Sequence, residues 1–494
     1  MKTKITVAAI LTVICLLGGC AEKERAIIID GGVSNTQSDV GSSSGSLSRM
    51  PDSSVEPSAN PTSSAEISSP LSGSVPISQV NPSDIESSDY ETPQISSSNS
   101  ISSPSSTQSV FPSSGSSGSS SKPVIIAPDP SIGTNGYKPL NYSEVRGVWI
   151  SYIEISGMQS GSESAFRSSI GAVYDNCVSL GLNTVYVHAR SHGDAYYNSD
   201  YFPKTKYIDG GFDALKIMVE EAHKRGLSFQ AWINPLRMCS VSDIGRESGY
   251  PVYNWRNDNR LVQVGNYYYL NPAYSEVIDL IADGAREIVA NYDVDGLHID
   301  DYFYPTTDAS FDSAEYQSSP YNTLSEFRMS NCDKLVSGLY DAVKSANPSA
   351  LFGVSCQGSL ENNYNQMYAD VKKWCYNYGY TDYIMPQIYY GFSNSAQPYS
   401  TCVNTWNNIA QSGKIPLIVG LSVSKIGYED TWAGAGKDEW ITDSDILKRQ
   451  FSEAYELSAY GGVCLYSYNS VFNPERAVKS QVDREITALK TVMR

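Results

Sequence analysis

The sequence predicts an α/β fold, a (β/α)8 barrel of the TIM type, preceded by an export signal and a long Ser-rich segment. From about residue 138 onward, eight apolar runs rich in β-branched and aromatic residues alternate with amphipathic patterns. Several of these patterns stop at glycine, a common end signal for helices, as at Gly181, Gly226, Gly379 and Gly461. A doubly wound open sheet is the alternative, but no G-x-G-x-x-G turn follows the first strand.

The predicted barrel supplies eight strand ends, and in such a barrel the chemistry lies where strands end and loops begin. The predicted strands cover residues 144–151, 182–189, 227–234, 294–300, 351–356, 382–390, 415–423 and 461–468. Helical patterns separate them, for example "FDALKIMVEEAHKRG" and "YSEVIDLIADGAREIVANY". We therefore expect one domain over residues 137–494 with its site at the carboxyl ends of the strands.

Residues 1–20 predict a bacterial lipoprotein signal peptide. Lys2 and Lys4 precede an apolar run that ends in "LLGGC", where Cys20 takes the place of the lipid-modified cysteine. The run is too short and wrongly flanked for a stable membrane span; a signal cut elsewhere and a plain apolar anchor are the alternatives. Lipid on Cys20 would tether the protein to the outer face of a bacterial membrane, in the cell envelope, with no other membrane contact.

Residues 21–136 consist largely of Ser, Pro, Gly and Asn, as in "SSAEISSPLSGSVPISQ". Such a segment buries too little apolar surface to offset chain entropy, so the sequence predicts a disordered tether. As a flexible coil, roughly 115 residues span on the order of 60 Å. An O-glycosylated stalk is the alternative with the same composition.

Composition narrows the choice of partners. The net charge of −18 argues against nucleic acid and against electrostatic docking on anionic lipid. The 36 tyrosines against 12 phenylalanines favour a sugar-binding surface, although tyrosine-rich surfaces also serve protein partners. The sequence predicts no cofactor and no metal, and it leaves the oligomeric state open.

Cysteine usage indicates neither a zinc ribbon nor a redox motif, since no C-x-x-C spacing occurs. Seven cysteines remain when Cys15 and Cys20 are set aside, an odd number that cannot all pair internally. Several lie in apolar runs such as "GGVCLYSY", which suits small buried thiols. One or two disulfides remain compatible with the sequence.

The stretch "DVDGLHIDDYFYP" (293–305) ends the fourth predicted strand in two aspartates. Side chains alternate along a strand, so His298 and Asp300 share one face while Leu297 and Ile299 share the other. We expect the apolar pair to face the helices, His298 to lie inside the barrel, and Asp300 to lie at its mouth. Asp301 begins the loop. The aromatic residues that would wall a cleft are Tyr302, Phe303 and Tyr304.

The same alternation brings polar and aromatic residues from other strands to the mouth. The second strand aligns Tyr186, His188 and Arg190, with Asp194 close behind; the third aligns Gln230, Trp232 and Asn234, with Arg237 just after; the sixth aligns Met385, Gln387 and Tyr389. A cleft of this composition is typical of sugar binding. The predicted substrate-binding residues are His188, Arg190, Trp232, Asn234, His298, Tyr302, Gln387, Tyr389 and Tyr466.

Each of these residues also has a structural interpretation. Asp301 is placed where it would cap a turn, and His298 where it would be a hydrogen-bonded core histidine. Arg190 would then neutralise an aspartate, and Trp232 would pack in the core. The functional interpretation depends on polar groups recurring at strand ends while remaining rare at strand starts.

Long motifs resemble glycosyl-hydrolase-like family 10, among them "EVRGVWIS", "GLNTVYVHARSHGDAYY", "EEAHKRGLSFQAWINP", "NYDVDGLHIDDYFYP" and "DYIMPQIYYGF". The resemblance extends from about Glu144 to Asn469. It implies a (β/α)8 barrel acting on polysaccharide outside the cell, and one relative is a lipoprotein that cleaves peptidoglycan strands lacking stem peptides. We therefore predict a glycoside hydrolase of peptidoglycan glycan strands that carry N-acetylated sugars.

A more distant similarity links the fourth strand to the family-eighteen chitinases, whose signature is D-G-x-D-x-D-x-E. Asp295 and Asp300 match it, whereas His298 stands in place of an aspartate and Tyr302 in place of the catalytic glutamate. Asp301, one position earlier, is the nearest carboxyl group able to donate a proton.

The predicted catalytic residues are Asp300, Asp301 and Asp194. Adjacent carboxylates raise the pKa of one of them, which keeps it protonated and able to act as an acid. Asp194 and then Glu361 are candidates for a separate second carboxyl, unless the acetamide of the sugar takes that role. Two rival functions remain: a metal-dependent polysaccharide deacetylase using the "HARSH" histidines with Asp300, and a non-catalytic barrel that binds wall glycan.

Overall fold

The computed structural model describes residues 133–244 and 249–493, except for the side chain of Asn257. The predicted signal peptide (1–20), its lipidation site Cys20 and almost all of the predicted tether (21–136) lie outside the described residues. The predicted domain boundaries therefore stay predictions.

Eight parallel strands close into a barrel in chain order, with the last pairing to the first. They are β1 (Val145–Ile150), β2 (Thr184–Arg190), β3 (Ser228–Ile233), β4 (Gly296–Ile299), β5 (Leu351–Val354), β6 (Tyr383–Ile384), β7 (Leu417–Ser422) and β8 (Tyr460–Tyr466). The predicted fold class is confirmed. The sixth strand is much shorter than predicted, because beyond Ile384 its chain keeps only isolated bridges to its neighbours.

One helix of the outer layer follows each strand. These are α1 (Glu163–Ser179), α2 (Ala214–His223), α3 (Ser275–Asn291), α4 (Leu324–Ala346), α5 (Val371–Tyr376), α6 (Tyr399–Gly413), α7 (Ile446–Tyr455) and α8 (Lys479–Lys490). The sequence encodes the start of α4, where Thr323 and Glu326 form a reciprocal capping box at the first turn. None of the helices in the described part of the chain is both long and apolar enough to cross a membrane.

The loops carry further elements. Short helices cover Tyr152–Ser156, Pro251–Asn254, Ser313–Gln317, Leu360–Asn365, Glu439–Thr442 and Tyr468–Phe472, and single 3-10 turns cover Trp255–Asn257, Ala309–Phe311 and Gly434–Gly436. Between β3 and α3 the chain forms an antiparallel sheet of three strands, Arg237–Ser240, Leu261–Val264 and Tyr267–Leu270. We call it the loop sheet. Its strands are too short to stand out from the regular strand–helix alternation of the sequence, so this sheet was not predicted.

Two apolar layers form the core, as strand alternation requires. The outer layer lies between strands and helices and includes Leu297 and Ile299. The inner layer fills the barrel with larger side chains, among them Trp149, Tyr186 and Tyr383. The expected orientation of the fourth strand is thus confirmed for its apolar pair.

The inner layer needs glycine where a large ring crosses the barrel. A Cβ atom built on Gly353 of β5 would lie 1.8 Å from the ring of Tyr383 on β6. A side chain at position 353 would therefore displace that ring.

All seven cysteines among the described residues are buried and unpaired. Each is surrounded by protein, as the sequence predicted for small apolar thiols.

Candidate active site

Asp300 lies at the carboxyl end of β4, with only 4% of its surface exposed. The neighbouring strand β3 supplies its main donors, since the pairing of Trp232 with His298 aligns the two strand ends. The indole of Trp232 donates to Oδ2 at 3.1 Å, and the side-chain amide of Asn234 lies 2.7 Å from each carboxylate oxygen. The backbone N–H of Tyr302 adds a longer contact of 3.4 Å. These donors favour the ionised form of Asp300 and fix its orientation.

His188 on β2 holds Asn234 in the orientation that serves Asp300. The backbone N–H of Tyr152 donates to Nδ1 of His188 at 3.0 Å, so the proton of a neutral ring is on Nε2. That proton is donated to Oδ1 of Asn234 at 3.0 Å, which turns the amide N–H groups toward Asp300. Burial holds the pKa of His188 well below its usual value, and Trp232 stacks on the ring at 3.4 Å between centroids. With both nitrogens engaged, His188 has no free lone pair for a metal.

Asp301 lies one position further, partly exposed at the mouth, and it faces a different set of neighbours. The side-chain amide of Gln387 donates to its Oδ1 at 3.0 Å. Gln387 is fixed by backbone bridges to Gln357 and to Gly420 of β7. Asp301 thus has its amide donors, Gln387 and Gln357, on the far side of the barrel, whereas those of Asp300 come from β3.

Both carboxyl groups bind their protons more tightly than ordinary aspartates. Burial raises the pKa of Asp300 well above its usual value, and the charge of Asp301 raises it further. Burial also raises the pKa of Asp301, against the lowering effect of the Gln387 and Gln357 side chains. Two adjacent groups titrate as a pair, so the pair keeps one proton to a higher pH than an isolated aspartate would.

Aromatic rings line the mouth around the pair. Tyr389 packs against Tyr466 at 5.7 Å between centroids, and Tyr466 packs edge-on against Trp149 at 6.0 Å. Across the mouth, the guanidinium carbon of Arg237 lies 5.4 Å from the ring centre of Tyr302 and 5.9 Å from that of Tyr152. Such walls suit the C–H faces and hydroxyl groups of sugar rings.

The loop that carries these residues is anchored by a buried ion pair. Arg328 on α4 contacts Asp312 at 2.7 Å, with both side chains fully buried. The same guanidinium donates to the backbone carbonyls of Thr306 and Asp308. Five hydrogen bonds from this guanidinium, three to Asp312 and one to each carbonyl, hold the segment after Asp301 to α4.

Arg190 does not join the mouth, contrary to the alternation expected for its strand. The pairing of β2 with β3 shifts register between His188 and Arg190, so that Arg190 lies opposite Ile233, whose side chain is in the outer layer. The guanidinium stacks on Phe202 at 4.3 Å, and burial lowers its pKa to about 10. This bulge turns Arg190 away from the face it was expected to share.

His298 lies inside the barrel beneath the carboxylates, with none of its surface exposed. The indole of Trp149 donates to its Nε2 at 3.4 Å, and its Nδ1 lies 3.1 Å from the hydroxyl of Tyr383. Burial lowers its pKa to about 3, so the ring is neutral. These contacts match the structural interpretation, a hydrogen-bonded core histidine, rather than substrate binding.

Asp194 lies in the loop after β2 and accepts a hydrogen bond from the backbone of His192 at 3.1 Å. Burial raises its pKa, and the side chain of Thr205 opposes that effect. Within the described residues, no hydrogen bond joins it to Asp300 or Asp301. Glu361, the next candidate, lies exposed in the first turn of the short helix that follows β5.

Several mouth residues were not among the predicted site residues. Trp149 and Gln357 occupy positions that strand alternation and strand ends would have identified. Arg237 was noted as following the third strand but was given no role. The backbone N–H of Tyr152 carries no signal in the sequence at all. Among residues 133–244 and 249–493, no three His, Cys, Asp or Glu side chains are grouped as metal ligands would be.

Comparisons with known proteins give the family of the chain and the proteins to which it is similar. A family model described as glycosyl hydrolase-like 10 matches residues 144–434. Glycosyl hydrolase YngK of Bacillus subtilis (strain 168) is 30% identical over 324 residues, which cover 59% of this chain and 63% of YngK. Glycosyl hydrolase DigH of Escherichia coli (strain K12) is 27% identical over 376 residues, covering 67% of this chain and 84% of DigH. Thus the chain spans less than two thirds of YngK. The glycoside hydrolase domain of PgaB (BpsB) from Bordetella bronchiseptica aligns with 69% of this chain and 98% of that domain, at 14% identity and a TM-score of 0.47.

Proposed function

The chain belongs to the glycosyl hydrolase-like 10 family, and from this we propose that it is a glycosidase of peptidoglycan glycan strands. The family supports a carbohydrate-active barrel with a polysaccharide substrate. The restriction to peptidoglycan, with its N-acetylated sugars, is our proposal.

The observation that carries the proposal is the asymmetric pair Asp300–Asp301 at an aromatic-lined mouth. Glycoside hydrolysis needs a proton donor for the leaving oxygen and a group that stabilises positive charge at the anomeric carbon. A raised pKa keeps one proton on the pair, and the donors around Asp300 favour its ionised form. The two requirements thus fall on different residues.

We assign the proton to Asp301 and the negative charge to Asp300, on the geometry of their donors and against the larger rise in the pKa of Asp300. Asp301 is the more exposed of the two, so its proton can reach the glycosidic oxygen. Asp300 is held by Trp232 and Asn234 and faces the charge that develops on the sugar. The carboxyl that the chitinase signature places at Tyr302 is supplied here from the preceding position.

The second step admits two routes, and the products distinguish them. If the acetamide of the sugar acts as the nucleophile, Asp300 orients and stabilises it, and the anomeric configuration is retained. If water attacks directly, the configuration is inverted. NMR of the first-formed product anomer separates the two.

The test is hydrolysis of purified glycan strands by the purified protein. We expect new reducing ends from peptide-stripped strands, and mass spectrometry of the fragments identifies the bond. Asp301→Asn should lower the rate by about 10²–10⁴-fold, the usual contribution of a general acid. Asp293→Asn is the matched control, an exposed aspartate at the other end of the same segment. Full activity in both Asp300→Asn and Asp301→Asn would refute the assignment.

The same experiment separates hydrolysis from binding alone. Tyr302 in place of a glutamate is the observation that favours a non-catalytic glycan-binding barrel. Binding of strands without new reducing ends would support that alternative, and release of acetate would support a deacetylase.

Our proposal includes the location of the protein. Lipid attached to Cys20 would hold the barrel at the outer face of a bacterial membrane, where wall glycan is available. Cys20→Ser should move the protein from the membrane fraction to the soluble fraction after export. Unchanged fractionation would argue against the anchor.

A further inference from the structure

Arg237 is a cation at the mouth with no assigned role. It lies three residues after Asn234, at the start of the loop sheet, and is partly exposed. Its guanidinium carbon lies 5.4 Å from the ring centre of Tyr302, which directly follows the carboxyl pair, and 5.9 Å from that of Tyr152. Tyr152 in turn donates its backbone N–H to His188. Arg237 is therefore next to the residues that hold the reaction centre.

Rings hold the guanidinium, while among the described residues no hydrogen bond engages its N–H groups. A third tyrosine, Tyr267, lies 4.7 Å from it. In the part of the chain that the structure describes, no carboxylate forms an ion pair with Arg237, although aspartates and glutamates exceed lysines and arginines by 53 to 35 in the sequence. Two arginines elsewhere in the described part are paired, Arg225 with Asp175 and Arg328 with Asp312.

An arginine held among rings is prepared for a flat anion. Contact with three tyrosine rings restricts the side chain without using its five N–H groups, and these match a carboxylate in a two-point contact. That restriction also lowers the entropy lost when the anion binds.

We infer that Arg237 forms a subsite for a carboxylate on the glycan, so that the substrate is an acidic sugar chain and not a neutral one. The inference rests on the proposed function, because it specifies the substrate class of that site. In peptidoglycan the group would be the carboxylate of the lactyl ether on alternate sugars once the stem peptide is removed. A polymer of uronic acids carries the same chemistry.

The test changes the cation on the protein and the anion on the substrate together. Arg237→Gln and the unaltered protein are compared on peptide-stripped strands and on the same strands after reduction of their carboxyl groups to alcohols. We expect Arg237→Gln to lower kcat/KM about 10- to 100-fold on native strands, mostly through KM, as for loss of a hydrogen bond to a charged group. On reduced strands the two proteins should agree within about threefold, within the scatter of surface changes.

Two further variants give the comparison its controls. Arg237→Lys keeps the charge but loses the fork, and we expect an intermediate loss on native strands. Arg260→Gln removes an arginine that stacks on Trp255 and pairs with Asp258, outside the mouth, and should leave both substrates unaffected. An equal loss on native and reduced strands in Arg237→Gln would overturn the inference, since the residue would then support the fold or the reaction itself.

A binding measurement keeps this result separate from the proposed function. Calorimetry with the Asp301→Asn protein measures affinity for native and reduced strands without turnover. A preference for native strands that Arg237→Gln abolishes supports the carboxylate subsite even if no hydrolysis is found. Equal affinity for both strands refutes the subsite even if hydrolysis is confirmed. Binding of a uronic acid polymer in place of peptidoglycan strands would identify that polymer as the source of the carboxylate.

Discussion

Replacing Asn234 by alanine tests whether the donors around Asp300 create its role. The substitution removes the amide that lies 2.7 Å from both carboxylate oxygens and leaves the indole of Trp232 as the remaining side-chain donor. It also frees the Nε2–H of His188, whose position stays fixed by the Tyr152 backbone and by stacking on Trp232. The perturbation is therefore confined to one end of the carboxyl pair.

The expected loss of activity is worked out from the hydrogen bond between Asn234 and Asp300 that the substitution removes. A hydrogen bond to a charged group contributes about 1.5–3 kcal/mol, and the bifurcated contact of Asn234 counts as one such bond. In the proposed mechanism the carboxylate of Asp300 acts in the transition state, so that loss corresponds to a fall in kcat/KM of about 10- to 150-fold. Loss of a donor also favours the protonated form, so the pKa of Asp300 rises further and the acidic limb of the pH profile moves to higher pH.

The assay is kcat/KM for reducing-end release as a function of pH. Asn407→Ala is the matched control: this buried asparagine on α6 accepts from the backbone of Ala459 at 2.9 Å, beside the start of β8 and far from the mouth. It should lower the free energy of unfolding and leave the pH profile unchanged. An Asn234→Ala enzyme with the unaltered acidic limb and kcat/KM within twofold would refute the assignment of the charge to Asp300.

Three further outcomes follow from the same structure. Burial raises the pKa of Asp300 and Asp301 in the folded protein, so folding binds protons. The free energy of unfolding should therefore fall as the pH rises from the ordinary carboxyl range through the raised pKa values. Replacing both aspartates by asparagine should flatten this pH dependence, measured by urea titration at several pH values. Gly353→Ala should lower the free energy of unfolding by about 1–3 kcal/mol or more, because its Cβ meets the ring of Tyr383; an unchanged midpoint would contradict this. Arg328→Met should lower the free energy of unfolding by about 3–5 kcal/mol, because it leaves the buried carboxylate of Asp312 unpaired. The loss should appear as a lower Tm. A Tm near that of the unaltered protein would mean that the ion pair contributes little.

Strand alternation predicted the part of the site where pairing is regular. On β4 the rule placed Leu297 and Ile299 toward the helices and His298 inside, and the pairing of β3 with β4 runs without a shift. The same register aligns Trp232 and Asn234 with Asp300, so their convergence was predictable from sequence. It is less predictable that His298 is a core residue, because alternation gives the face of a residue but not its depth in the barrel.

Alternation failed where the ladder is irregular. A bulge between His188 and Arg190 inserts one residue, and every position beyond it changes face. No residue in "VHARSH" signals that bulge, so Arg190 was assigned to the mouth and lies instead against Phe202. Arg237 was given no role because its neighbours come from three separate segments of the chain, which strand alternation does not relate to one another.

Adjacency explains how two aspartates in sequence acquire different roles. Consecutive side chains diverge on an extended backbone, so Asp300 and Asp301 meet opposite sides of the barrel. One side, from β3, presents an indole and an amide whose orientation His188 determines. The other, beyond β6, presents the side-chain amides of Gln387 and Gln357. Burial raises the pKa of both groups, and the charge of Asp301 raises that of Asp300 further, so the division into an acid and a carboxylate that we propose depends on the geometry of the donors and on the greater exposure of Asp301.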